Sequence, residues 1–217
     1  MLNKYLDKLE RKFRRFAIPN LMLYIVLGMG VFYIANMILT TNPDNKVDLY
    51  SMIYFDRDKI MHGEVWRVIS FVLMPPKYMI IFTVFALYFY WMIGEVIERN
   101  WGSLKFNAYY FTGIIGCIIA GFITGYTSNL YLNLSLFIAF AILFPNEEIR
   151  LSFLIPIKMK WLAIADGILL AYEFITGSFD DRIYLLFSIA NILLFFGKEL
   201  FSACYYTIRR IFYNAKK

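Results

Sequence analysis

The stretch 128–161, SNLYLNLSLFIAFAILFPNEEIRLSFLIPIKMKW, decides the reading. Residues 130–144 are apolar and carry no charge; then Pro145 and Asn146 stop the run, and Glu147, Glu148 and Arg150 bring the chain into water. Proline lacks the N–H that would continue a helix, and its ring clashes with the preceding turn. A second apolar piece, 151–157, closes on Lys158 and Lys160 with Trp161 beside them. An apolar helix that ends in Pro-Asn and then meets acids, bases and a tryptophan has the pattern of a membrane span arriving at an interface.

Composition extends that reading to the whole chain. Of 217 residues, 60% are hydrophobic, 20% aromatic and 18% charged, and the mean hydropathy is +0.58. Average soluble domains are less apolar and carry more charge. The chain reads as an all-α, polytopic membrane protein in which one domain is enough to hold every span. The first apolar run starts near Asn20 behind a charged segment, so no cleavable signal peptide is expected. Cys117 and Cys204 lie in apolar surroundings and read as buried thiols, neither a disulfide nor a metal site. His62 is the single histidine, which narrows the acid–base chemistry.

Residues 1–19 are a basic segment in which Leu2, Tyr5, Leu6, Leu9, Phe13 and Phe16 recur at helical spacing. An amphipathic helix on an anionic leaflet is expected there. Six spans follow, predicted at 20–40, 78–93, 104–126, 129–144, 161–176 and 183–201, with a basic tail at 202–217. The first, 20–40, is apolar throughout and long enough to cross a hydrocarbon core of about 30 Å. The connection 41–77 holds five acids, with 53–55 and 65–66 expected at the interface. Of 22 Lys and Arg, 16 fall in the N-terminal segment, at 94–105, at 145–160 and from 198 onward; the others are Lys46, Arg57, Lys59, Arg67, Lys77 and Arg182. That asymmetry predicts both termini in the cytoplasm, and the cell membrane as the expected location. Gly121 and Gly125, four apart, would allow another helix to approach closely.

Several short motifs resemble one family. Gly63–Glu64–Val65–Trp66–Arg67, then Glu95, Glu98, Trp101 and Gly102, then Phe144–Pro145–Asn146 are similar to elements of the rhomboid intramembrane serine proteases. The resemblance implies a six-helix rhomboid-like bundle. It also implies a serine on the fourth helix and a histidine on the sixth, because a hydroxyl needs a base to become a nucleophile. Counting back from Pro145 sets the serine position at about Leu130, and the histidine position falls at about Asn191. The oxyanion positions on the second span fall at Phe82 and Ala86. None of these carries the family's group.

A rhomboid-like pseudoprotease is therefore expected, one that binds transmembrane segments of client proteins without cutting them. Two other readings stay open. One is a peptidase with a non-standard site, using Ser128 or Ser135. The other is a small transporter using Asp166 and Glu173, seven apart on nearly one face of the fifth span. Asn133, Ser135, Asp166, Glu173 and Asn191 are the candidate intramembrane polar site, read as interhelical packing. One histidine and two cysteines offer no metal cluster, and no Gly-rich phosphate loop precedes a helix, so no metal and no cofactor are expected. The net charge of +6 sits in segments flanking the spans and points to membrane lipids as partners, not nucleic acid.

Overall fold

The computed structural model describes residues 14–41, 48–151 and 155–214, with side chains at 15–41, 48–148 and 158–197. A 3-10 turn, Arg14–Phe16, leads to α1 (Leu21–Thr41). The remainder of the amphipathic helix expected at 1–19, the thiol of Cys204 and the side chains of the basic tail lie outside the described residues.

The connection after α1 is more ordered than its composition suggests. It holds α2 (Leu49–Ile53), β1 (Phe55–Asp56), α3 (Arg57–Met61), α4 (Arg67–Ser70) and a 3-10 turn, Phe71–Leu73. Asp48 caps α2, accepting from the N–H of Tyr50, and Asp56 caps α3, accepting from Asp58 and Lys59. Each cap satisfies donors that a helix start leaves open. Ile53 and Phe55, expected at the interface, are buried, whereas Val65 and Trp66 are exposed.

Next come α5 (Ile80–Trp101) and α6 (Ser103–Thr124), with Gly102 alone between them. Gly102 turns the chain with φ +94°, a region glycine enters without steric cost. The acidic and tryptophan motif at 94–101, expected in a loop, is therefore the last two turns of a helix. Strand β2 (Tyr126–Thr127) pairs antiparallel with β1. Helix α7 (Leu130–Leu143) ends as Phe144 leaves helical geometry ahead of Pro145. A hairpin of β3 (Glu148–Leu151) and β4 (Ile155–Lys158) leads to α8 (Met159–Thr176). Finally α9 (Phe179–Asn214) runs through residue 201 without a break, so its helix continues into the expected tail.

Helix α1 packs on α5, α5 on α6 and α7, and α9 on α6, α7 and α8. Met29, Phe55, Phe106, Tyr109, Leu136 and Phe196 are among the core residues. Large apolar side chains also cover the outside: Leu27, Val31 and Ile38 on α1, Ile81 and Val84 on α5, Ile168 and Ile175 on α8, Leu193 and Leu194 on α9. Apolar surface this continuous marks a membrane-facing protein. Among the described residues, α1, α5 and α6 are long and apolar enough to cross a bilayer. Helix α7 has only 14 residues, and α8 carries Lys160, Asp166 and Glu173.

The glycines act differently from the expectation. A Cβ at Gly121 would stand 2.6 Å from the ring of Phe55, so what approaches there is the first connection, not a helix. Gly125, with φ +96°, is the left-handed C-cap of α6. The close interhelical approach is at Gly113, where a Cβ would stand 2.4 Å from Leu132 Cδ1 and 3.0 Å from Asn191 Nδ2.

Candidate functional site

The first connection forms a frame over the start of α7. Arg67 is 3% exposed and is the centre of that frame. Its guanidinium donates to Ser51 O at 2.9 Å and Tyr54 O at 3.0 Å, and pairs with Glu64 Oε2 at 2.6 Å. Trp66 Nε1 donates to Met52 O at 3.2 Å. Burial works to raise the Asp56 carboxyl. The N–H of Lys59, the hydroxyl of Tyr54 and the N–H of Asp58 outweigh it and hold the group below its ordinary value. The connection is then tied to the α6–α7 turn. Arg57 N–H donates to Gly125 O at 2.9 Å, and Asn129 Nδ2 donates to Val72 O at 2.9 Å and Met74 O at 2.8 Å.

Beneath this frame lies a cavity of about 10 Å³, room for about one water. Its wall includes Gly113 and Cys117 of α6, Ser128, Leu132 and Ser135 around α7, and Ser188 and Asn191 of α9. Leu130, which the spacing from Pro145 sets at the serine position, is 51% exposed and is not part of this wall. Ser128, two residues earlier, is. The count from Pro145 fixes a distance along the chain and not its rotation about the helix axis; α7 starts only at Leu130, so Ser128 sits in the turn before it. Ser128 Oγ accepts from the N–H of Leu130 at 3.3 Å.

Asn191 is buried in the cavity wall, and its Nδ2 donates to Tyr109 O at 3.4 Å while its Oδ1 has no partner. Tyr109 donates to Ser135 Oγ at 3.0 Å, and Ser135 to Leu132 O at 2.8 Å. Ser188 donates to Tyr131 O at 3.1 Å. Asn191, Ser135 and Ser188 thus share one cavity. Asn133 is buried elsewhere on α7 with an unpartnered Oδ1. Glu173 accepts from Tyr131 Oη at 2.7 Å, whereas Oδ2 of Asp166 has no partner. The two carboxylates are not brought onto the cavity. Phe82 is exposed and Ala86 half-buried, and neither reaches it. His62 is exposed at the C-cap of α3, with Nδ1 2.6 Å from Asp58 O.

The remaining motif residues are joints between helices. Glu98 Oε1 accepts from the N–H of Asn20 at 2.8 Å and from Ser103 Oγ at 2.7 Å. Glu95 pairs with Arg99 one turn on. Trp101 stacks on Phe196 at 4.7 Å, with Phe195 and Tyr109 around it, so it packs inward. Past α7, Pro145 O accepts from Lys160 N–H at 3.1 Å, and Asn146 is exposed in the turn.

A stretch of 110 residues is 29% identical to Rhomboid-like protease 1 of Toxoplasma gondii. The chain is similar to a rhomboid-like protease. The match covers 49% of this chain and 37% of that protein, so the chain spans little more than a third of its relative's length. No family model matches the chain. The apolar helices make this a helical membrane protein, and over about half its length it is similar to a rhomboid-like protease.

Some site residues were not legible beforehand. Tyr109 and Asn129 carry no motif signal, one being an aromatic in an apolar span and the other an amide next to the expected serine. Only the packing shows that the first holds Ser135 and the second holds the connection.

Proposed function

We propose that the chain is a six-span, rhomboid-like pseudoprotease of the cell membrane, with both termini cytoplasmic, that binds transmembrane segments of client proteins and does not cleave them. The observation that carries this reading is the pair facing one cavity, Ser128 and Asn191. A carboxamide has no basic nitrogen, so Asn191 cannot take the serine proton as an imidazole would. The one histidine, His62, is the C-cap of α3 and has no place in the cavity wall. With the scaffold kept and the base missing, what is left is recognition of apolar helices.

The test is an Asn191→His variant beside the wild type in liposomes with single-span substrates and a fluorophosphonate probe. The wild type is expected to be silent in both readouts while it crosslinks to substrate segments from a photoreactive group at position 130. Asn191→His is expected to gain probe labelling at Ser128. Cleavage by the wild type that is lost in Ser128→Ala or Ser135→Ala would overturn the reading, as would wild-type protein that captures no segment.

A further inference from the structure

We infer that the groove between α8 and α9 is a binding site for one zwitterionic phospholipid, with an acyl chain in the groove and the phosphate on Arg182. Both helices are spans in the function proposed above, and the site rests on that reading. The groove has a volume of about 520 Å³; Gly167, Ala171 and Phe174 of α8 line it with Ile189 and Leu193 of α9 and Ile138 of α7. That volume is in the range of small-ligand sites, roughly 300–1,000 Å³.

None of the ten lining residues has a polar side chain. Such walls leave a buried polar group without a partner and so select hydrocarbon. Length separates the two hydrocarbon occupants a bilayer offers, an acyl chain and a helix. Along α8 the lining runs from Gly167 to Ile175, about 12 Å of helix, and along α9 from Leu186 to Leu193, about 10 Å. That is close to one leaflet of a core about 30 Å thick. A docked transmembrane helix needs a face along both leaflets, whereas an acyl chain enters at headgroup depth and ends near the midplane. Small residues leave the room for it: a Cβ at Gly167 would meet nothing within 4 Å, and Ala171 is exposed.

The mouth of the groove carries the matching charge. Phe174, Ile175 and Leu186 line the end next to the α8–α9 turn. Arg182 is exposed there, and its Nε donates to Phe174 O at 3.0 Å and its Nη2 to Ile175 O at 3.1 Å. These bonds hold the guanidinium at the end of the groove and leave its other N–H groups open. Among the described residues it forms no ion pair. A planar fork fixed by its own turn suits a phosphate. The acids of the turn set the headgroup class. Asp181 accepts from the N–H of Ser178 at 2.9 Å and from its hydroxyl at 2.7 Å, and Asp180 is exposed. Two carboxylates beside one arginine disfavour a net-anionic headgroup and accept a zwitterion, whose own ammonium offsets its phosphate.

The probe is phosphatidylcholine, with diacylglycerol of the same chains as competitor. The experiment is native mass spectrometry of the full chain from micelles holding both at equal concentration. The wild type is expected to keep one phosphatidylcholine, favoured over diacylglycerol about tenfold. Gly167→Leu with Ala171→Leu puts side chains into open space in the groove and is expected to cut retention of both lipids about tenfold. Val84→Phe, a comparable addition on the exposed face of α5, is expected to leave retention unchanged. Arg182→Gln is expected to remove the preference for phosphatidylcholine while chain binding stays, and Arg182→Lys, which keeps the charge, to retain part of it. Retention that survives the filled groove, equal retention of the two lipids by the wild type, or a second copy of the chain bound in place of lipid would each overturn the inference. A membrane-impermeant thiol reagent tests the spans separately. Rapid labelling of Ala171→Cys would overturn the six-span reading and the site together, whereas a protected position 171 without lipid retention would overturn the site alone.

Discussion

Arg67 is a cation almost without solvent, and its side chain reaches two carbonyls and one carboxylate at the same time. Removing it strands three acceptors under the frame. Arg67→Ala is expected to cost about 2–3 kcal/mol, read from thermal or denaturant unfolding in detergent, less than the roughly 3–5 kcal/mol of breaking a fully buried pair because Glu64 is partly exposed. Arg67→Lys keeps the charge and loses the fork, and should fall between. Gly113 acts by having no side chain. A Cβ there meets buried Leu132 at 2.4 Å, and overpacking of about 1–3 kcal/mol outweighs the helix-propensity gain of about 1 kcal/mol from alanine. Gly113→Ala is therefore expected to destabilise the wild type. In a Leu132→Ala background the same change should be neutral or stabilising; equal effects in both backgrounds would show that the contact does not limit packing.

At the scale of elements, residues 48–73 of the first connection hold short helices, two of them capped by Asp48 and Asp56. Asp56 makes this pH-dependent. Its folded value lies below its reference of 3.8, so its contribution is fully present above the unfolded value and is lost as pH falls through the folded one. The protection of α3 amides, relative to the intrinsic exchange rate at each pH, should therefore fall below about pH 4. In Asp56→Asn, which still caps but cannot titrate, protection should be flat over that range. If both profiles stay flat, the cap charge does not hold α3. Helix α7 makes a related point. Its 14 helical residues are fewer than a straight crossing of a core of about 30 Å takes, so as a span it relies on the residues that flank it. The segment reaches its neighbours through Asn129 at one end and Pro145 at the other, and so depends on what is docked onto both.

For the whole molecule, the junction at Trp101 joins three helices. The indole ends α5, and its ring stacks on Phe196 of α9 and meets Tyr109 of α6 edge-on. Trp101→Ala is expected to cost about 2–4 kcal/mol, somewhat below a full core truncation because the ring is partly exposed, and to leave secondary structure intact in circular dichroism. Loss of helicity together with stability would place the residue in folding of α5 itself. The same junction lies beside Glu98 and Gly102, so three separate motif residues of the sequence act on one joint between the spans.

The sequence by itself determined the solvent and the element type. Runs such as 130–144 and 106–124 have no charge for water to hold, and uncharged runs of this length satisfy their backbone in lipid as helices. It also determined that His62 is the only imidazole and that Asn191 and not histidine follows Ala190. It did not determine that the helix of α5 continues through 94–101, because charges at a helix end look like charges in a loop. Nor could it decide between Ser128 and Leu130. Spacing along a chain gives the distance to Pro145, but which side chain faces α9 depends on where α7 starts and on how closely Leu132 and Asn191 fit against Gly113. That rotation is set by packing between residues dozens of positions apart, and only the tertiary structure holds it.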